Sequence, residues 1–411
     1  MKRSILALAV ASFCIVSAAI AKKGVPPRIE HDIAVGHKPK VAASINGKLH
    51  VVFEGIPDTA KHTDIYYCQS TDGGATWSKA VNVSRSAGVS SDPDITTESD
   101  GSVDVAWKDT RSGADRPDVF FTHSADGGTN WTDPADISNT SGVSSEPAIA
   151  AGPDNSLHVV WIDTTSGPTH PDVYYVDSSN QGKTWSKPED ISNTPGVSSE
   201  PEISVGSDET VHVVWADTTS GETRPDIYYL RRSGGTWTKP ADVSNSMRRS
   251  AHPCVSTGPK SRVYLCWQDN SKKEFAADIW CAIAEKSGKW SKPLNISDTP
   301  GVSSEPCLAA DQAGRLGIVW SDTTTGLDRP DVCARVSLDS GSDFSNQLDL
   351  SNSTTGKSRR PDVALFGSKM IVVWEEIGTG GSTIKTTTME LKGTPTGPAG
   401  EVDPTTHGRS M

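Results

Sequence analysis

The chain has 411 residues with 36 Gly, 26 Pro, 12 Trp and only 22% charged residues, a turn-rich composition that suits a large β-structure and excludes the disordered, collagen-like and membrane-transporter classes. Its formal net charge of −12 gives no basic footprint for nucleic acid or for an anionic membrane.

The chain opens with Met1-Lys2-Arg3 and an apolar run from Ile5 to Ala21, the pattern of a secretory signal over residues 1–21 with cleavage near Ala21. The expected product is secreted, periplasmic or extracellular, and no other stretch is long and apolar enough for a membrane span. Losing Lys2 and Arg3 leaves 37 basic against 51 acidic residues, a net charge near −14. Export also matters for Cys68, Cys254, Cys266, Cys281, Cys307 and Cys333, which an oxidising compartment lets pair. Spacing leaves their pairing open, with a local Cys254–Cys266 staple and buried free thiols as alternatives.

From residue 28 onward the dominant signal is a repeat of 52 to 54 residues. An apolar phrase closing on an aromatic ends at Phe53, Trp107, Trp161, Trp215, Trp267, Trp320 and Trp374, and a second aromatic column follows a tight turn at Trp77, Trp131, Trp185, Trp237, Trp290 and Phe344. Eleven of the twelve tryptophans fall in these two columns, so tryptophan marks the packing of the repeat. Each unit reads as four short strands: in the third, Pro147–Ala151, Leu157–Trp161, Asp172–Val176 and Trp185–Ser192, with Gly, Pro, Asn and Asp between them. Units of this kind predict an all-β, seven-bladed β-propeller of four-stranded antiparallel blades. The expected repeats are 37–84, 85–138, 139–192, 193–244, 245–297, 298–351 and 352–390. The last lacks a fourth strand, and residues 28–35 are predicted to supply it and so close the ring. A closed ring predicts a monomer, with residues 393–411 as a flexible tail.

Between the third and fourth strands stand Ser70-Thr-Asp72-Gly-Gly74-Ala-Thr76-Trp77 and Ser124-Ala-Asp126-Gly-Gly128-Thr-Asn130-Trp131, decaying to the phrases that contain Asn180 with Trp185 and Asp339 with Phe344. These resemble the Asp-box, or BNR, repeat of the sialidase superfamily. The role they imply is structural: the Asp carboxylate accepts turn amides, Gly supplies positive φ, and the aromatic packs back on the blade. One turn offers too few oxygens for calcium, so the reading includes no metal and no cofactor.

The boxes lie at one end of the blades, while the longer loops and the blade connectors lie at the other, where binding on a rigid scaffold usually resides. Two positions form rings on that loop face. Asp109, Asp163, Asp217, Asp269, Asp322 and Glu376 follow the second-strand aromatic by two residues and read as caps of their own loops. Lys38, Asp92, Glu146, Glu200, His252, Glu305 and Arg360 precede the first-strand proline. This second ring breaks the repeat, with acids at Glu146, Glu200 and Glu305 and cations at His252, Arg360 and Lys38. His37, Arg248, Arg249 and Arg359 stand nearby, and together they predict a basic pocket for an anionic ligand such as a sugar acid.

The sialidase resemblance implies three arginines on a substrate carboxylate, a tyrosine nucleophile and an aspartic acid/base. All seven tyrosines here fall in strands, the blade count is seven against the family's six, and no Arg-Ile-Pro phrase occurs, so no catalytic role is carried onto this chain. The sequence therefore points to a non-catalytic sialidase-like propeller that binds glycans or another anionic ligand through its loop face. The alternatives are an exo-sialidase or other glycoside hydrolase, and a platform for a protein partner.

Overall fold

The computed structural model describes residues 29–391 apart from 57–61, 222 and 274–275. The predicted signal segment, Arg28 and the tail lie outside the described residues. Seven antiparallel sheets follow one another as blades. Blade 3 is typical, with strands Ser144–Ala151, Leu157–Asp163, Asp172–Ser178 and Glu189–Asp190 paired in that order. First strands of neighbouring blades touch one another, and the first strand of blade 1, His37–Ala43, touches that of blade 7, Lys357–Phe366, so the ring closes around a central axis. Closure is completed by Ile29–Val35, which pairs antiparallel with the third strand of blade 7, Gly381–Glu390. Its two edges are thereby removed, as the sequence predicts.

The second strands run through the middle of each blade and are buried on both faces. Trp107, Trp161, Trp215, Trp267, Trp320 and Trp374 are fully buried between sheets. The outer strand differs from the prediction of a long segment starting at the box aromatic. In blades 1 to 6 it forms only two-residue ladders such as Ala135–Asp136 and Glu189–Asp190, and in blades 2 to 5 Pro134, Pro188, Pro240 and Pro293 stand directly before it, where they cannot donate to a ladder.

The box turns act as the residues suggest. Asp72 accepts from the Thr76 amide and hydroxyl at 2.9 and 2.6 Å, and Asp126 accepts from the Asn130 amide and side chain at 2.8 and 2.7 Å. Each box tryptophan then packs on the preceding blade. Trp131, Trp185, Trp237 and Trp290 stand edge-on to Tyr67, Phe121, Tyr175 and Tyr229, with ring centroids 4.9, 5.0, 4.9 and 5.1 Å apart. The close approach requires glycine: a Cβ on Gly128, at φ +91°, meets the Tyr67 hydroxyl at 1.9 Å.

Inside the blades, the hydroxyls of Tyr67, Tyr175 and Tyr229 bond the Nδ1 atoms of His50, His158 and His212 at 2.7, 2.7 and 2.8 Å. Burial pushes each of these three imidazoles down to about 4, so they are neutral at pH 7. The six cysteines among the described residues are free thiols. Cys254 faces Cys266 across the first two strands of blade 5, and its Sγ lies 3.6 Å from that of Cys307 in blade 6.

Candidate functional site in the central cavity

Where the seven first strands meet the axis, each carries a proline preceded by a residue in the left-handed region. Lys38, Asp92, Glu146, Glu200, His252, Glu305 and Arg360 have φ between 46° and 55°. The ladder slips register at this point in every blade, between Ser145 and Ala148 in blade 3 for instance. A non-glycine residue held there costs about 1–3 kcal/mol and persists only where its surroundings enforce it. The seven pre-proline residues line a cavity of about 310 Å³, joined by the residue after the proline in blades 1, 4, 5, 6 and 7.

Carboxylates from one blade hold the strained amides of the next. The Glu200 N–H donates to Glu146 at 2.7 Å, His252 N–H to Glu200 at 2.6 Å, Arg360 N–H to Glu305 at 3.0 Å and Asp92 N–H to Glu54 at 2.8 Å. The acids of this ring thus stitch blades together as well as facing the cavity. Burial raises the pKa of Glu146, and neighbouring Glu200 and Asp92 add to it against the Glu200 amide. His252 lies 3.2 Å from Glu200.

Basic side chains gather at the junction of blades 7 and 1. His37 Nδ1 and Arg360 Nη1 reach the two oxygens of Glu375 at 2.9 and 2.8 Å, and Arg359 Nη2 lies 3.9 Å away. Glu375 is inaccessible, whereas His37, Arg359 and Arg360 are 42%, 38% and 36% exposed in their side chains. Burial works to raise the Glu375 pKa, but hydrogen bonds from His37, Ser382 and Arg360 outweigh it and hold the group ionised. Beside them, Lys38 bridges Asp92 at 2.5 Å and Glu54 at 3.0 Å. Arg248 and Arg249 stay on the connector between blades 4 and 5, outside the cavity wall.

Deeper in the cavity is a layer that the sequence reading missed. Lys40 Nζ lies 3.5 Å from Glu202 and 4.0 Å from Asp94, while Asp94 and Asp362 accept the Ile149 and Val41 amides of the following blades at 2.8 and 2.7 Å. Burial works to lower the Lys40 pKa, yet Glu202, Asp362 and Asp94 hold it well above the usual lysine value. The signal for this layer was present as the residue after each first-strand proline, which also breaks the repeat. Glu54 and Glu375 were legible in the same way, since only blades 1 and 7 place a glutamate directly after the second-strand aromatic.

The other predicted ring is structural. Asp163, wholly buried, accepts from Trp161 Nε1 at 2.9 Å, Thr140 and Ser144 hydroxyls at 2.7 and 2.8 Å and the Thr165 amide at 2.8 Å. Asp109, Asp217 and Asp322 repeat the knot with Trp107, Trp215 and Trp320. No tyrosine lines the cavity: Tyr174 and Tyr228 bond Ser166 and Ser220 on the blade flanks.

Residues 105–369 match the BNR repeat-like domain. The chain belongs to this BNR repeat-like family. No curated protein sequence matches it. Its fold is similar to that of an ulvan lyase of a new polysaccharide lyase family, bound to -[GlcA(1-4)Rha3S]-, at TM-score 0.60 and 11% identity over 89% of this chain and 96% of that one. It is also similar to a Hadza microbial sialidase, at TM-score 0.53 and 16% identity over 82% and 75% of the two chains. An α-L-arabinanase of Penicillium chrysogenum complexed with arabinobiose gives TM-score 0.52 and 12% identity over 89% and 99%. At these identities the likeness is one of fold alone. Among the described residues no helix is long and apolar enough to cross a membrane.

Proposed function

We propose that this protein is exported and binds an acidic glycan at the cavity mouth, through the glycan's carboxylate or sulfate groups, without cleaving it. The observation that carries the reading is the cluster of His37, Arg359 and Arg360 on the single buried carboxylate of Glu375, with Lys38 adjacent. Glu375 is shared by two guanidiniums and an imidazole, and of these side chains Glu305 meets only Arg360, through Nε at 3.8 Å, so their outer edges keep donors for a second anion. Arg359 Nε is buried without an acceptor. The fold likeness to a lyase bound to a saccharide of GlcA and Rha3S units supports an acidic sugar as ligand class.

A hydrolytic reading is favoured by one feature, the raised pKa of Glu146 beside Glu200, since glycoside hydrolysis wants one protonated and one ionised carboxyl. Against it, both groups are spent on neighbouring blades, Glu146 on the Glu200 amide and Glu200 on the His252 amide.

The test combines a panel of sialosides, uronides and sulfated saccharides on an array with fluorogenic versions of the same glycosides, for the mature protein and an Arg359→Ala/Arg360→Ala variant. Saturable binding to acidic glycans without turnover, weakened at least about 10-fold in the variant, supports the proposal. Turnover abolished in a Glu146→Gln variant would replace it with the hydrolase, and no binding to any acidic glycan would overturn it in favour of a protein partner.

A further inference from the structure

At the opposite end of the propeller, blade 2 departs from its neighbours in four columns at once. Blades 1, 3 and 4 carry the histidine–tyrosine pairs His50–Tyr67, His158–Tyr175 and His212–Tyr229. Blade 2 has Asp104 in place of the histidine and Phe121 in place of the tyrosine, and it adds His123 two residues further along. In the turn after its first strand stands Glu98, where blades 3 and 4 have Gly152 and Gly206. The changes converge: His123 Nδ1 lies 2.9 Å from Asp104 Oδ1 and 3.7 Å from Glu98 Oε1, and one ligand atom from each of the three residues falls within 4.8 Å of the others.

Glu98, Asp104 and His123 are 2%, 0% and 8% exposed. Two of their carboxylate oxygens, Glu98 Oε1 and Asp104 Oδ2, are buried with no hydrogen-bond partner. Orphaned buried oxygens are uncommon in native interiors and call for an occupant.

We infer that Glu98, Asp104 and His123 form a binding site for a divalent first-row metal ion, of which Zn²⁺ fits the donor set best. One imidazole nitrogen and two carboxylate oxygens are the ligand types zinc takes, and two carboxylates with a neutral imidazole neutralise a dication. The surroundings are those of an ordered site. Gln181 of blade 3 donates through Nε2 to Glu98 Oε2 at 3.2 Å and to Asp100 Oδ2 at 2.8 Å, fixing the glutamate from outside. Glu98 also lies in the wall of a cavity of about 360 Å³ at the box end of the axis, which supplies an entry path. This site is at the other end of the molecule from the cationic cluster, so it stands or falls independently of the glycan proposal.

The test is equilibrium dialysis of tag-free full-length protein against Zn²⁺, with metal content read by mass spectrometry, and against Ca²⁺ as a cation that prefers all-oxygen ligands. Substitution with Co²⁺ gives a visible absorption band whose intensity separates a low-coordinate protein site from the six-coordinate aqueous ion. One equivalent of zinc retained in preference to calcium is expected. A variant carrying Glu98→Gly, Asp104→His, Phe121→Tyr and His123→Asp gives blade 2 the residues of blade 3, so it keeps a packing solution that the fold already uses. Its zinc affinity should fall at least about 10-fold while its circular dichroism stays that of the wild type. Wild-type protein that retains no zinc, or a folded four-site variant that retains as much as wild type, overturns the inference. Should the variant fail to fold, His123→Gln read by the Co²⁺ spectrum decides: an unchanged band overturns the site and a lost band upholds it.

Discussion

The junction of blades 3 and 4 and the junction of blades 7 and 1 are built on the same backbone bulge, yet they do different things with it. At the first, the Glu146 carboxylate closes directly on the Glu200 amide, and the junction is self-contained. At the second, the pre-proline residues are Arg360 and Lys38, which have no acceptor to offer, and the buried glutamates Glu375 and Glu54 come in from the second strands to hold them. Where a ring position stitches blades, its side chain is consumed. Where the stitching is moved to another column, the ring position keeps donors that face the cavity.

Three predictions test that contrast between repeat-faithful scaffold and repeat-breaking mouth. The largest concerns the buried histidines of the scaffold. Their folded pKa values lie near 4 against 6.5 for the free side chain, so between those limits the unfolded chain binds more protons than the folded one. Their contribution is intact above pH 6.5 and is lost as pH falls toward 4, by about 3 kcal/mol for each fully buried group. Urea unfolding followed across this window should show a falling midpoint, and His158→Gln should flatten its share of the slope. An unchanged slope would show that the imidazole of His158 takes up its proton as readily in the folded chain as in the unfolded one.

Next in size, Asp163→Ala leaves the Trp161, Thr140, Ser144 and Thr165 donors without their acceptor and should destabilise the protein by at least about 3 kcal/mol. Glycan binding by the folded fraction should be unaltered, since Asp163 does not reach the cavity. Smallest in stability and largest in function is Arg359→Gln, which should change unfolding free energy by less than about 0.5 kcal/mol. The same substitution should weaken binding of acidic glycans about 10-fold, or 1.4 kcal/mol, and make it less dependent on salt. A variant that binds as wild type would show that the exposed cations are ordinary solvated charge.

The residues made the propeller legible because its repeat places the same physical demand on each unit. Tryptophan at the end of the second strand, glycine beside the box aromatic and proline in the first strand each recur for a packing or backbone reason, so period alone yields blade count and closure. The Asp163 column was legible for the same reason. The site was legible only as a place where the repeat broke: Lys38, His252 and Arg360 could be read off as odd members of an acidic ring, and His37 and Arg359 as their neighbours. Sequence proximity grouped Arg248 and Arg249 with them, but these residues sit on a connector whose direction the pattern does not encode.

The sequence by itself determined the all-β class, the seven units, the N-terminal closing strand and the structural nature of the boxes, because local turn chemistry and period suffice for each. Only the tertiary structure decided which charges meet. Glu375 and Arg360 are 15 positions apart, whereas His37 and Glu375 are 338 apart, and they share a hydrogen-bonded cluster because ring closure brings the first and last blades together. In the same way, Glu98, Asp104 and His123 converge because one turn and two paired strands of blade 2 place them side by side, Asp104 lying directly opposite His123 in the ladder.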